Sequence, residues 1–153
     1  MVLDTTYHNK EHKQLIKDIV GEPFSFFEAL RRGGIGSKRL IVNNFSPNLN
    51  FITNSVSDIN YANIELRKQG VLVMINKGLK NFTWAIPFYQ LVFFKSDMTS
   101  IHAQGKFIQF ANSRTFKENK KFLHQIMDEK IKFDEKYSFP REKYQRRPIN
   151  FIK

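Results

Sequence analysis

NIELRKQGVLVMI, residues 63–75, and FTWAIPFYQLVFF, residues 82–94, decide how this chain folds. In the first, Ile64 and Leu66 alternate with polar neighbours and so share one face of a strand running from Tyr61. Arg67-Lys68-Gln69-Gly70 is a turn, and Val71 to Asn76 runs back. Lys77-Gly78-Leu79-Lys80 turns again into Asn81 to Ile86, where Phe82, Trp84 and Ile86 share a face. Pro87 cannot donate to a ladder and marks a bend or an edge. Tyr89 to Lys95 reads as a strongly apolar strand.

Working outward, Ser96-Asp97 and Gln104-Gly105 turn the chain through Ser100 to Ala103 and Lys106 to Phe110. Upstream, Arg39 to Phe45 is a strand and Asn50 to Asn54 a weaker one. Short strands at this spacing predict an antiparallel β-meander of six or seven strands over 38–110, forming a barrel or a sandwich. Residues 1–32 read as helical. Asn9 caps a helix from Lys10 to Val20, with Leu15, Ile16, Ile19 and Val20 on one side, and Gly21 and Pro23 stop it. A second short helix, Ser25 to Arg32, presents Phe26, Phe27 and Leu30. Residues 113–137 read as one amphipathic helix that closes the open side of the sheet. Residues 138–153 hold Pro140 and Pro148 and form an extended basic tail. The expectation is one α+β domain, 1–153. Its core is expected at Leu40, Val42, Ile64, Leu66, Val71, Val73, Trp84, Ile86, Leu91, Phe93, Ile101, Phe107, Phe122, Leu123 and Ile126.

NIELRKQGVLVMI, FTWAIPFYQLVFF and SIHAQGKFIQF, followed by an amphipathic helix, resemble bacterial pleckstrin-homology-like (PH-like) domains over about residues 59–135. The Trp84-x-Ile86-Pro87-Phe88 entry is similar to the "IPY" strand of such domains. The resemblance implies a binding scaffold of many uses, and a fold of that kind does not fix a function.

Composition narrows the rest. The chain has 153 residues, 41% hydrophobic and 14% aromatic, with sixteen Phe and one Trp, enough to bury a core built largely on phenylalanine. No run reaches the roughly 18 apolar residues of a membrane span. With no cysteine there is no disulfide, thiol catalysis or Cys-ligated zinc. The N-terminus has no apolar core of a signal peptide, and a reducing cytoplasm fits the composition. The net charge is +11, and residues 114–153 carry 12 basic against 6 acidic residues, more than half of that excess. Such asymmetry suits a polyanionic partner, and it equally suits plain solubility.

His8-Asn9-Lys10-Glu11-His12 matches the inverted zinc-protease pattern H-x-x-E-H, but its surroundings are polar and it opens the chain; no metal, cofactor or catalytic residue is assigned. Arg31-Arg32-Gly33-Gly34-Ile35-Gly36-Ser37-Lys38-Arg39 is a glycine-rich loop whose amides can converge on an anion, flanked by Arg31, Arg32, Lys38 and Arg39. It equally reads as a helix C-cap. The tail interleaves aromatics with Arg141, Lys143, Arg146 and Arg147, a mixture that suits phosphates and bases. His102 and His124 read as structural.

Three classes of function follow. The favoured one is a non-catalytic binding or adaptor module for a protein or peptide, expected to show an open strand edge or an apolar groove. The alternative is a polyanion binder, for nucleic acid or an anionic membrane surface, expected to show one continuous basic surface from the glycine-rich loop to the tail. The third is an enzyme or small-molecule carrier, expected to show a deep pocket with converging polar groups. A homo-oligomer formed through an exposed strand is compatible with any of them.

Overall fold

Turns at Lys68-Gln69 and Gly78-Leu79 fold the middle of the chain back on itself twice, where their residues predict it. The computed structural model describes residues 1–52 and 59–137. Its elements are β1 (Val2–Asp4), α1 (Lys10–Val20), α2 (Phe26–Arg31), β2 (Leu40–Phe45), a 3-10 turn (Pro47–Ile52), β3 (Asn60–Arg67), β4 (Gly70–Lys77), β5 (Lys80–Pro87), a 3-10 corner (Phe88–Gln90), β6 (Val92–Lys95), β7 (Thr99–Ala103), β8 (Lys106–Phe110), α3 (Arg114–Glu118) and α4 (Lys120–Tyr137). The strands form one antiparallel sheet ordered β1-β5-β4-β3-β2-β8-β7-β6. The fold is therefore α+β, with N-terminal helices and a C-terminal helix. The sheet is open: it is not closed into a barrel, and β1 and β6 are its two edges.

The β3–β4–β5 meander owes its stability to apolar residues on both faces. Ile64, Leu66, Val71, Val73, Ile75, Phe82, Trp84 and Ile86 point into the main core, which Leu123 and Ile126 of α4 help to fill. Burying each such side chain is worth roughly 1.5–3 kcal/mol. On the opposite face Leu72 and Ala85 meet Ile16 and Val20 of α1. α1 starts as its sequence predicts: the Asn9 side chain accepts from the Glu11 and His12 amides at 2.8 and 3.3 Å. It stops at Gly21, whose φ of +80° favours glycine. Gly70 lies under Val20. A Cβ there would come within 2.8 Å of both Pro87 Cα and Val20 Cγ1, so the turn is glycine for reasons of space.

Five local expectations are corrected. Val2–Asp4 is a strand within the segment read as purely helical, because it pairs with Phe82–Trp84 and gives β5 a neighbour. Residues 50–52 belong to a 3-10 turn instead of a strand; residues 53 and 54 lie outside those described. Tyr89 and Gln90 sit in the 3-10 corner, so the apolar strand begins only at Val92. The corner forms because the Phe88 amide donates to Gln69 O and the Leu91 amide to Phe88 O. The helix expected over 113–137 is two helices, broken at Asn119. The Asn119 side chain is buried and cross-ties the chain ahead of β2: its Oδ1 accepts from the Lys38 amide at 2.8 Å and its Nδ2 donates to Lys38 O and Thr115 O. A side chain committed to those groups ends α3, and α4 begins as the Leu123 amide donates to the Asn119 carbonyl at 2.9 Å. Finally, Leu15 is exposed on α1, and Phe93, Phe107 and Phe122 are only half-buried. Ile108 and Phe110 are the buried residues of β8, and Leu49, Ile75 and Phe88 join the core.

The sheet's curl brings its β5 side to the β7–β8 turn. Gln104, the one described non-glycine residue with positive φ (+54°), occupies that turn. Its Oε1 accepts from Trp84 Nε1 at 3.1 Å and from the Met1 ammonium group. Its Nε2 donates to Gln90 Oε1 at 2.8 Å and to Ala85 O. One amide thus fastens β5, the N-terminus and the corner before β6.

Candidate edge-strand site

The clearest site candidate grows from that corner. Pro87 ends β5, and Phe88 turns inward and is fully buried. Lys130 of α4 donates to Phe88 O at 2.8 Å, fixing the corner beneath α4, and is itself paired with Asp134. The chain then leaves as β6. Leu91 is buried and Phe93 packs against the core, so the alternate residues Val92 and Phe94 face outward, 42% and 55% exposed. β7 pairs with β6 on one side, and no described strand pairs on the other.

The outward row continues across β7 and β8. Phe94 lies over His102 at a centroid distance of 4.6 Å, edge to face, and His102 stacks on Phe107 at 5.2 Å with planes 23° apart. Ser100 Oγ is 2.8 Å from His102 Nε2. Burial pushes the His102 imidazole below its ordinary pKa, so it is neutral at neutral pH. Among the described residues no carboxylate bonds either member of the pair, so no third member of a hydrolytic triad stands beside them. Its packing makes it part of an uncharged aromatic surface.

Of the candidate anion-binding residues, Arg32, Lys38 and Arg39 have partners within the chain. Arg32 bonds Glu129 at 2.8 Å and lies 4.3 Å over the Phe24 ring. Burial pushes the Glu129 carboxyl up, but hydrogen bonds from Arg32 and Lys132 outweigh it and hold it below the ordinary carboxylate value. Lys38 pairs with Glu118 at 3.2 Å, and Arg39 lies over Tyr61 at 5.0 Å. Arg31 is exposed at the end of α2. Arg141, Lys143, Arg146 and Arg147 lie outside the described residues. Four amides of the glycine-rich loop are committed within the chain: Gly33 donates to Leu30 O, Gly34 to Ala29 O, Ser37 to Ile64 O and Lys38 to Asn119. It acts as a helix C-cap that runs into a short bridge between Gly36 and Glu65.

His8 precedes the Asn9 cap, so His8 and His12 do not stand one turn apart on a helix as the zinc motif requires. Among the described residues no group of three His, Asp or Glu could hold a metal. Glu65, which forms the bridge with Gly36, pairs with Arg67 at 2.6 Å.

A surface cleft of about 450 Å³ lies between the glycine-rich loop and β5, lined among others by Thr5, Ser37, Asn63, Asn76 and Thr83. Several of its polar groups answer one another. Thr5 Oγ1 is 2.8 Å from Thr83 Oγ1, Asn63 donates to Ser37 O, and Ser37 Oγ accepts from the Ile64 amide. No helix among the described residues is long and apolar enough to cross a membrane. Compared with protein-family models, curated proteins and solved structures, the chain matches none.

Proposed function

We propose that the protein is a non-catalytic binding module on a PH-like scaffold, which takes an extended segment of a partner protein as an added strand along β6. One observation carries this reading: β6 is an apolar strand at an edge that no other described strand covers. Natural sheets blunt their edges with charge, proline or bulges. Val92, Phe93 and Phe94 offer none of these, and only Lys95 follows. An incoming strand would satisfy the free side of the ladder and lay alternate side chains against Val92 and Phe94. The meander order and the C-terminal helix are consistent with the scaffold.

Peptides selected from a random library on the full-length protein test the reading, titrated into the 15N-labelled chain. The amides of Val92 to Lys95 should shift and gain protection from exchange, and Phe94→Lys should weaken binding at least about tenfold, or ~1.4 kcal/mol. Selected peptides that instead perturb the cleft around Asn63 and Thr83 and leave β6 untouched would defeat it.

A further inference from the structure

The helix α2 is inside-out. Its apolar residues Phe26, Phe27 and Leu30 are 72%, 77% and 62% exposed, and none of its residues is buried. It is nevertheless firmly built. Ser25 and Glu28 form a capping box, with the Ser25 amide donating to Glu28 Oε2 at 3.0 Å and the Glu28 amide to Ser25 Oγ at 3.3 Å. Behind it Phe24 packs on the core beneath Arg32, which Glu129 of α4 holds. The helix is thus pinned by its two ends while it holds out its apolar residues. Phe26 and Phe27 touch edge-on at 5.9 Å, and Leu30 stands one turn further on, so the three form a raised knob and line no groove.

We propose that this knob inserts into the interfacial layer of an anionic lipid membrane. Two observations choose that occupant. A projecting aromatic pair on a helix of six residues has no groove to offer, and a rigid partner would need a matching cavity, whereas a lipid interface closes around any shape. The surrounding charge also favours anionic lipid. The carboxylates beside α2 are held by the chain's own cations, Glu22 by Lys17, Glu28 by Lys68 and Glu129 by Arg32 and Lys132. Arg31, next to Leu30, has no ion-pair partner among the described residues, which leaves an uncompensated cation beside the knob. Apolar insertion supplies the grip and the positive charge selects the leaflet. The site is separate from the β6 edge and does not depend on it.

Co-sedimentation of the full chain with phosphatidylserine-containing vesicles, against pure phosphatidylcholine vesicles, tests this. Binding should be stronger to the anionic vesicles and partly persist in high salt. Phe26→Ser and Phe27→Ser should each lower it by roughly tenfold, with melting temperatures unchanged because the residues are exposed. No pelleting of the wild type would overturn the proposal. So would binding that salt abolishes and the serine variants leave intact, which is adhesion by charge alone. Self-association lost in the same variants, read by sedimentation velocity, would make the occupant a second copy and overturn it equally.

Discussion

β4 and β6 read alike in the sequence, yet they lie in opposite conditions. VLVMI in β4 has apolar residues on both faces, and both are covered: Val71, Val73 and Ile75 by the main core, Leu72 and Met74 by α1. LVFF, which leads into β6, also has apolar residues on both faces, but only Leu91 and Phe93 meet the core. β4 has a strand on each side, and β6 has one among the described residues. A continuous apolar run states that both faces need cover. It does not state whether the cover comes from the same chain.

The same charge placed on each strand is the sharpest way to break this comparison. Leu72→Lys puts an ammonium between β4 and α1 and should cost about 3–5 kcal/mol, or abolish folding, because the charge has no partner there. Phe94→Lys should change stability by less than about 0.5 kcal/mol. Urea melts of the two variants check both, and similar losses would mean that β6 is covered after all. Next in size is Gly70→Ala. The added Cβ meets Pro87 and Val20, so α1 must lift or the turn must shift, at about 2–3 kcal/mol by thermal melting. A near-neutral result would show that the seal over β4 is loose and the contrast with β6 weaker.

The smallest effect is pH-dependent and belongs to the open half. His102 has a folded pKa below its ordinary value because of burial. Above about pH 6.5 both folded and unfolded chains keep it neutral, and it contributes nothing to pH dependence. As pH falls below that value the unfolded chain takes up the proton first, so stability declines towards the lowered folded pKa. His102→Gln should flatten the stability curve below about pH 6.5. An unchanged slope would place the acid sensitivity elsewhere.

The meander was legible because its turn residues and its alternation agree, as at Arg67–Gly70 and in Ile64, Leu66. β1 was not: three residues carry no period, and Val2–Asp4 becomes a strand only because β5 presents an edge. The break at Asn119 was hidden because a polar residue fits the wet side of a helix, and only the fold brings Lys38 to its side chain. At the candidate site, Tyr89 to Lys95 showed its apolar character but not its corner, which depends on Gln69 across the β3–β4 turn. The Ser100–His102 contact had a local signal, since residues two apart on a strand share a face. The aromatic neighbours Phe94 and Phe107 come from other strands and left no such signal. The basic loop residues were visible as charges, but their partners Glu129, Glu118 and Tyr61 are distant in sequence.

Gln104 has a consequence for how the molecule can be observed. The chain holds a single tryptophan, and its indole N–H ends on the side chain that fastens the corner before β6. Emission from Trp84 is therefore a local optical gauge of that fastening, separate from the far-ultraviolet signal of the sheet. Gln104→Ala should shift the emission while leaving the strand signal in place, and a ligand that loosens or tightens the corner should register in the same channel without any attached dye.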